Sequence, residues 1–117
     1  MVLTDEGLNV VRDLVYDDVQ DGELGSGGSA VTASDTGLQT PDTDTILTLT
    51  KKPKTDKQLQ FDYLLPSTGG NTATYREYTI LNGDADNYDR VVFTGVAWVK
   101  NGTQDLNITK RYFFKSV

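Results

Sequence analysis

Residues 57–65 read Lys57-Gln58-Leu59-Gln60-Phe61-Asp62-Tyr63-Leu64-Leu65. Leu59, Phe61, Tyr63 and Leu65 fall on one face; Gln58, Gln60 and Asp62 fall on the other. A period of two belongs to a strand with one face buried and one wet. Upstream, Leu47 and Leu49 alternate with Thr48 and Thr50, and Lys51-Lys52-Pro53-Lys54 ends that run. Downstream, Pro66-Ser67-Thr68-Gly69-Gly70-Asn71 is turn chemistry. A strand is expected over 72–81, with Tyr75, Arg76, Glu77 and Tyr78 at its middle, and a polar loop from Asn82 to Asp89. Residues 90–100 set Val91, Phe93 and Val99 against Val92, Val96 and Trp98. Apolar residues on both faces predict a strand covered on both sides. Asn101-Gly102 is the signature of a type I′ hairpin turn. The last strand, from about Thr103 to Ser116, carries Leu106, Ile108, Tyr112 and Phe114 on one face and Thr109, Arg111 and Phe113 on the other.

The chain starts differently. Thr4 is a good helix N-cap, and Asp5 and Glu6 suit the positive end of the dipole. Leu3 and Leu8 have the spacing of a hydrophobic staple. Leu8, Val11 and Val15 recur on one face of a helix over about 4–18, while Asn9, Arg12, Asp13 and Asp17 fall mostly on the other. So short a helix must dock its apolar stripe on something. Residues 20–44 are rich in Gly, Ser, Thr and Asp and read as a long loop, holding one short strand or forming an arm ordered by a partner subunit. The expected fold is mainly β. It is one domain over 1–117: an antiparallel β-sandwich with one N-terminal α-helix, the loop over about 20–44 and a β-meander over about 45–116.

Composition excludes several functions. The chain has no Cys and no His, so disulfides, thiolate nucleophiles, Ser-His-Asp triads and the usual zinc ligands are absent. Seventeen acidic residues face 11 basic ones, and the sequence pI is about 4.4. That balance disfavours nucleic acid and anionic membrane surfaces as partners. The acid is mostly Asp, which fits a halophilic source or ordinary solubility. No apolar run is long enough to insert in a membrane, and the start lacks signal-peptide features, so synthesis in the cytoplasm is expected.

Candidate sites are few. Asp84, Asp86 and Asp89 are spaced like calcium-loop ligands, without the Gly and Glu an EF-hand needs; the alternative is a solvated loop. Gly25-Ser26-Gly27-Gly28 resembles a phosphate cradle, but no Gly-Lys-Ser/Thr follows. Glu77 offers a catalytic carboxylate or a cross-strand partner for Arg90 or Arg111. Asn101 and Asn107 stand in N-glycosylation patterns, which also arise by chance and matter only if the chain meets a glycosylation system. The aromatic residues fit a sugar-binding stripe, a core or a subunit interface. No catalytic residue and no cofactor are expected. Leu3, Leu8, Val11, Val15, Tyr75, Tyr78, Trp98, Tyr112 and Phe114 are the candidate docking residues.

The opening Leu3-Thr4-Asp5-Glu6-Gly7-Leu8-Asn9-Val10-Val11-Arg12-Asp13 resembles the start of small structural proteins of tailed viruses of bacteria and haloarchaea. Gly25-Ser26-Gly27-Gly28 and Ala33-Ser34-Asp35-Thr36-Gly37-Leu38 resemble the runs that follow there, and Tyr75–Leu81 and Val91–Phe114 stand where their strands fall. The segment from Lys51 to Lys57 departs from that pattern. The resemblance implies a virion part, either a capsid decoration or a tail-fibre or baseplate module, that works by assembly and not catalysis. Its partners would be copies of itself and other virion proteins, with the chain expected as a ring-type oligomer of three, five or six copies or as a monomer that assembles only on a particle. The alternative is a carbohydrate-binding or adhesion module that meets a host-surface glycan.

Overall fold

The computed structural model describes residues 3–69, 73–93 and 97–116. Helix α1 (Asp5–Asp18) opens on Thr4, whose hydroxyl accepts the Gly7 N–H at 3.0 Å. Among the described residues nine strands follow: β1 (Val19–Gly25), β2 (Pro41–Thr48), β3 (Thr50–Lys51), β4 (Gln58–Leu65), β5 (Thr74–Tyr75), β6 (Glu77–Asn82), β7 (Val91–Val92), β8 (Trp98–Val99) and β9 (Leu106–Phe113). They form three antiparallel sheets, ordered β2-β1-β6-β7, β3-β4-β9 and β5-β8. The chain is thus mainly β, sandwich-like, with one N-terminal helix.

The core lies between the two larger sheets. β4 buries Leu59, Phe61, Tyr63 and Leu65, as its alternation requires. Facing it, β1 supplies Leu24 and β6 supplies Tyr78 and Ile80. The Tyr63 and Tyr78 rings meet edge to face, with centroids 5.4 Å apart. Leu106, Ile108, Tyr112 and Phe114 of the last strand pack half-buried against this core, while Thr109, Arg111 and Phe113 face out.

Several expectations change. The loop expected over about 20–44 contains a central strand of the larger sheet, β1, and the start of β2. Glycines hid β1 from its pattern: Gly22 and Gly25 occupy buried positions with no side chain to mark them. A Cβ on Gly22 would stand 2.6 Å from Tyr63 Cδ2 and 2.9 Å from the Tyr78 hydroxyl, so the bare backbone makes room for both rings. The β-meander gives way to long-range pairing. β1 is flanked by β2 and β6, and β4 runs in unbroken register with β9. Burial of matched apolar faces decides these pairings, not nearness in sequence.

Asn101-Gly102 makes a turn but no hairpin, because β8 pairs with β5 and β9 pairs with β4. The strand expected over 90–100 appears as two stubs, β7 and β8. Trp98 and Val99 are exposed, so β8 is not covered on both sides. Val96 of that expectation lies outside the described residues, as do Gly70 and Asn71 of the turn after β4 and Thr72.

β1 carries one irregularity opposite β2, between Gly22 and Leu24. Thr45 repairs it. Its hydroxyl accepts the Leu24 N–H at 2.8 Å and lies 2.7 Å from the Asp42 carbonyl, while its own carbonyl accepts the Tyr63 hydroxyl at 2.8 Å. A buried N–H freed by the bulge is thereby satisfied, and the two sheets are tied across the core.

Gly22→Ala is expected to destabilise the fold by about 1–3 kcal/mol, the usual cost of overpacking against rings that cannot retreat. Urea unfolding checks this: an unchanged midpoint would mean the tyrosines do not pack on this backbone.

Candidate functional site

Glu77 begins β6 and is fully buried, at 0% exposure. Its Oε2 accepts the Gly27 N–H at 2.7 Å and the Thr40 N–H at 2.8 Å. Its Oε1 accepts the Gln39 N–H at 2.8 Å and Arg90 Nε at 2.7 Å. The glycine-rich run is therefore an anion cradle whose anion is the chain's own carboxylate. Cβ atoms on Gly25 and Gly27 would lie 2.6 and 2.7 Å from Oε2, so only glycine permits the closure. Of the two roles weighed for Glu77, the ion pair holds, and its partner is Arg90.

Arg90 completes the latch. Its Nη1 donates to the Ser29 carbonyl at 3.0 Å and reaches Asp35 at 3.4 Å. Asp35 in turn accepts the Thr32 N–H and hydroxyl. The segment from Ser26 to Thr40 is so drawn down onto the outer face of the four-stranded sheet by one buried pair.

Beneath this roof lies an open cleft of about 640 Å³. Its walls are Ser34–Gln39 on one side and Leu81, Ala85 and Asn87 on the other, with Pro41, Thr43 and Ile46 at the β2 end. Glu23, at the middle of β1 and opposite Thr79 of β6, also lines it. Glu23 is 7% exposed. Burial, and then the neighbouring charges of Asp42 and Glu77, push its carboxyl above the ordinary range. Burial also pushes Glu77 up, but the Arg90 guanidinium and the N–H groups of Thr40, Gln39 and Gly27 outweigh it, and that carboxyl lies below its ordinary value. Two carboxylates on one sheet face are thus driven in opposite directions. Sequence reading singled out Glu77 and the glycines but missed Glu23, whose strand was not recognised.

The candidate docking residues scatter. Tyr75 and Tyr78 are buried in the core and present no surface. Tyr112 is half-buried, its hydroxyl donating to Asp89 at 3.0 Å, and Phe114 is also half-buried. Leu8 is buried and Val15 packs on the core, joined by Tyr16, but Leu3 and Val11 are exposed. The helix is turned from its expected orientation by polar contacts. Asn9 donates to Asp56 at 3.0 Å and accepts the Lys57 N–H at 2.8 Å, and Arg12 donates to the Thr55 carbonyl at 2.7 Å. The face expected to meet water therefore meets the 55–57 turn, and Val10 and Leu14 look outward. Trp98 is 36% exposed and stacks on Phe93 at 4.7 Å.

Asp84, Asp86 and Asp89 do not converge. Asp86 accepts from the Asn82 side chain, whereas Asp89 turns inward to Lys110 at 2.7 Å and to Tyr112. Among the described residues no group of three or more His, Cys, Asp or Glu is placed to hold a metal. The Asn101 side chain accepts the Thr103 N–H and hydroxyl within its own turn. No protein-family model, curated protein or solved structure matches the chain.

Removing Glu77 leaves a buried guanidinium and three N–H groups without their acceptor. Glu77→Ala is expected to cost about 3–5 kcal/mol, read from denaturant midpoints. The acid limb carries the same information. A carboxyl with a lowered folded-state pKa stabilises fully above its unfolded value, near 4.5, and loses that contribution as pH falls through the folded value. Stability of the parent chain should fall on acidification below about pH 4.5, and more shallowly in Glu77→Ala. Parallel acid limbs in the two proteins would refute this role.

Proposed function

We propose that the chain is a structural subunit that works by assembly, in the setting of a tailed-virus particle, on capsid or tail. It is made in the host cytoplasm and ends in the virion. The observation that carries this reading is the outer edge of β9. Phe114 N–H bonds the Lys57 carbonyl at 2.9 Å, so the even-numbered residues of this strand turn their amides toward β4. Asn107, Thr109, Arg111 and Phe113 therefore aim N–H and C=O groups away from the sheet. Among the described residues nothing pairs with them.

Edge strands template pairing unless they are blunted. The β2 edge is blunted: it opens on Pro41, carries Asp42 and Asp44, and breaks register against β1. The β9 edge has no Pro, Gly or acidic residue, carries charge only at Lys110 and Arg111, and keeps register over its whole length. An antiparallel two-fold contact centred on Lys110 sets Thr109 beside Arg111 of a second copy, and Asn107 beside Phe113. Lys110 is held by Asp89 on the inner face, so the two central charges are each paired. Such a contact is isologous and closed, the commonest kind of homo-oligomer interface. The likeness of the opening helix and of the Gly, Ser, Asp and Thr runs to virion proteins supports the setting.

Thr109→Pro tests the reading. It removes one outward N–H and leaves the β4 ladder whole. Light scattering after size exclusion should give the parent chain a mass of two or more 12.9 kDa chains, and the variant one chain, with similar melting temperatures. An oligomer that survives the substitution moves the contact elsewhere. A parent chain monomeric up to millimolar concentration refutes assembly of the chain on its own.

A second reading, glycan binding, is favoured by one observation. Exposed Trp98, stacked on Phe93, borders a recess of about 330 Å³ with Gln104 and Asp105 on its wall. Trp98 is the sole Trp, so a fluorescence shift on adding soluble glycans would report this site.

A further inference from the structure

Glu23 stands out among the charged groups of this chain. Its residue is more than nine-tenths buried, yet its side chain makes no hydrogen bond or ion pair with any described residue. Its oxygens are not sealed in; they keep some solvent contact, and the cleft is the opening they face. A buried carboxylate left unpartnered costs stability, and such groups persist where a ligand or ion completes them.

The surroundings define the ligand. Among the described residues Arg90 is the one cation lining the cleft; its Nε and Nη1 are held by Glu77, Asp35 and the Ser29 carbonyl, and its Nη2 is sealed from solvent without a hydrogen-bond partner. Asp42 and Glu77 add negative potential at Glu23. An anion is therefore repelled and a cation drawn in. A divalent metal ion prefers six or more oxygens, several of them charged; of the two carboxylates lining the cleft, Asp35 is taken by Arg90 and Thr32, which leaves Glu23. Among its polar residues the cleft also offers aliphatic surface from Leu38, Ile46 and Leu81. They suit methylene groups, as lysine stems suit apolar surfaces elsewhere. The volume, about 640 Å³, is that of a small-molecule site.

We propose that the roofed cleft over β1 and β6 binds an alkylammonium group, its head on the Glu23 carboxylate and its stem along Leu38, Ile46 and Leu81. Two sources share that chemistry: a free diamine, and a lysine side chain offered by another protein. The site is carried by Glu23 and is independent of the β9 edge.

Calorimetric titration with cadaverine and with the peptide acetyl-Ala-Lys-Ala-amide separates the sources. Both should bind the parent chain, the tighter one marking the source, and 1-pentanol should not. Glu23→Gln keeps the shape and removes the charge, so binding should weaken by at least about tenfold with no loss of melting temperature. Ile46→Ser, at the half-open rim, should weaken cadaverine while leaving the fold intact, which keeps the test valid if Glu23→Gln misfolds. The proposal is overturned by absence of amine binding at millimolar concentration, by equal binding to Glu23→Gln or of pentanol, or by calcium displacing the amine.

Discussion

One buried carboxylate organises the outer half of this molecule. Glu77 joins parts of the chain that lie far apart: Gly27, Gln39 and Thr40 from the roof, and Arg90 from beyond β6. The Gly27 and Arg90 bonds lie out of reach of water once the roof is down, and the carboxylate cannot be left alone in a dry site. The roof, the cleft beneath it and the seating of β2 beside β1 all follow from that mutual need. Gly25 and Gly27 are the geometric condition, because any side chain there fills the space the carboxylate occupies.

The inner half rests on packing. Tyr63 and Tyr78 meet across the core over the bare backbone of Gly22, and Thr45 closes the gap that the bulge opens in the ladder. The two halves share β1 and β6, whose alternate residues serve opposite purposes. Leu24, Tyr78 and Ile80 face the aromatic core, while on the other face Glu23 and Thr79 line the cleft and Glu77 is buried under the roof. Both faces of this sheet are thus covered. That explains why β6 shows no wet side and why the polar residues on it are held under cover.

Much was legible where side chains speak for themselves. The helix and its Thr4 cap, the alternation of β4, and the inner and outer faces of β9 are local properties, readable from spacing alone. The ion pair of Glu77 was also within reach as a pairing of unlike charges. β1 was not, because its defining residues are glycines whose role is to be empty. The docked face of the helix was misjudged because Asn9 and Arg12, polar by composition, find backbone and carboxylate partners in a turn far along the chain.

The sequence by itself determined the class of fold, one helix and then strands, and the lack of His and Cys chemistry, because hydrophobic period and composition act locally. Only the tertiary structure decided which strands pair, that the glycine cradle holds Glu77, and that Glu23 faces a cleft with no partner among the described residues. Those facts depend on residues brought together from distant positions. Such meetings are chosen by burial and by the pairing of polar groups in three dimensions, which no run of neighbouring residues encodes.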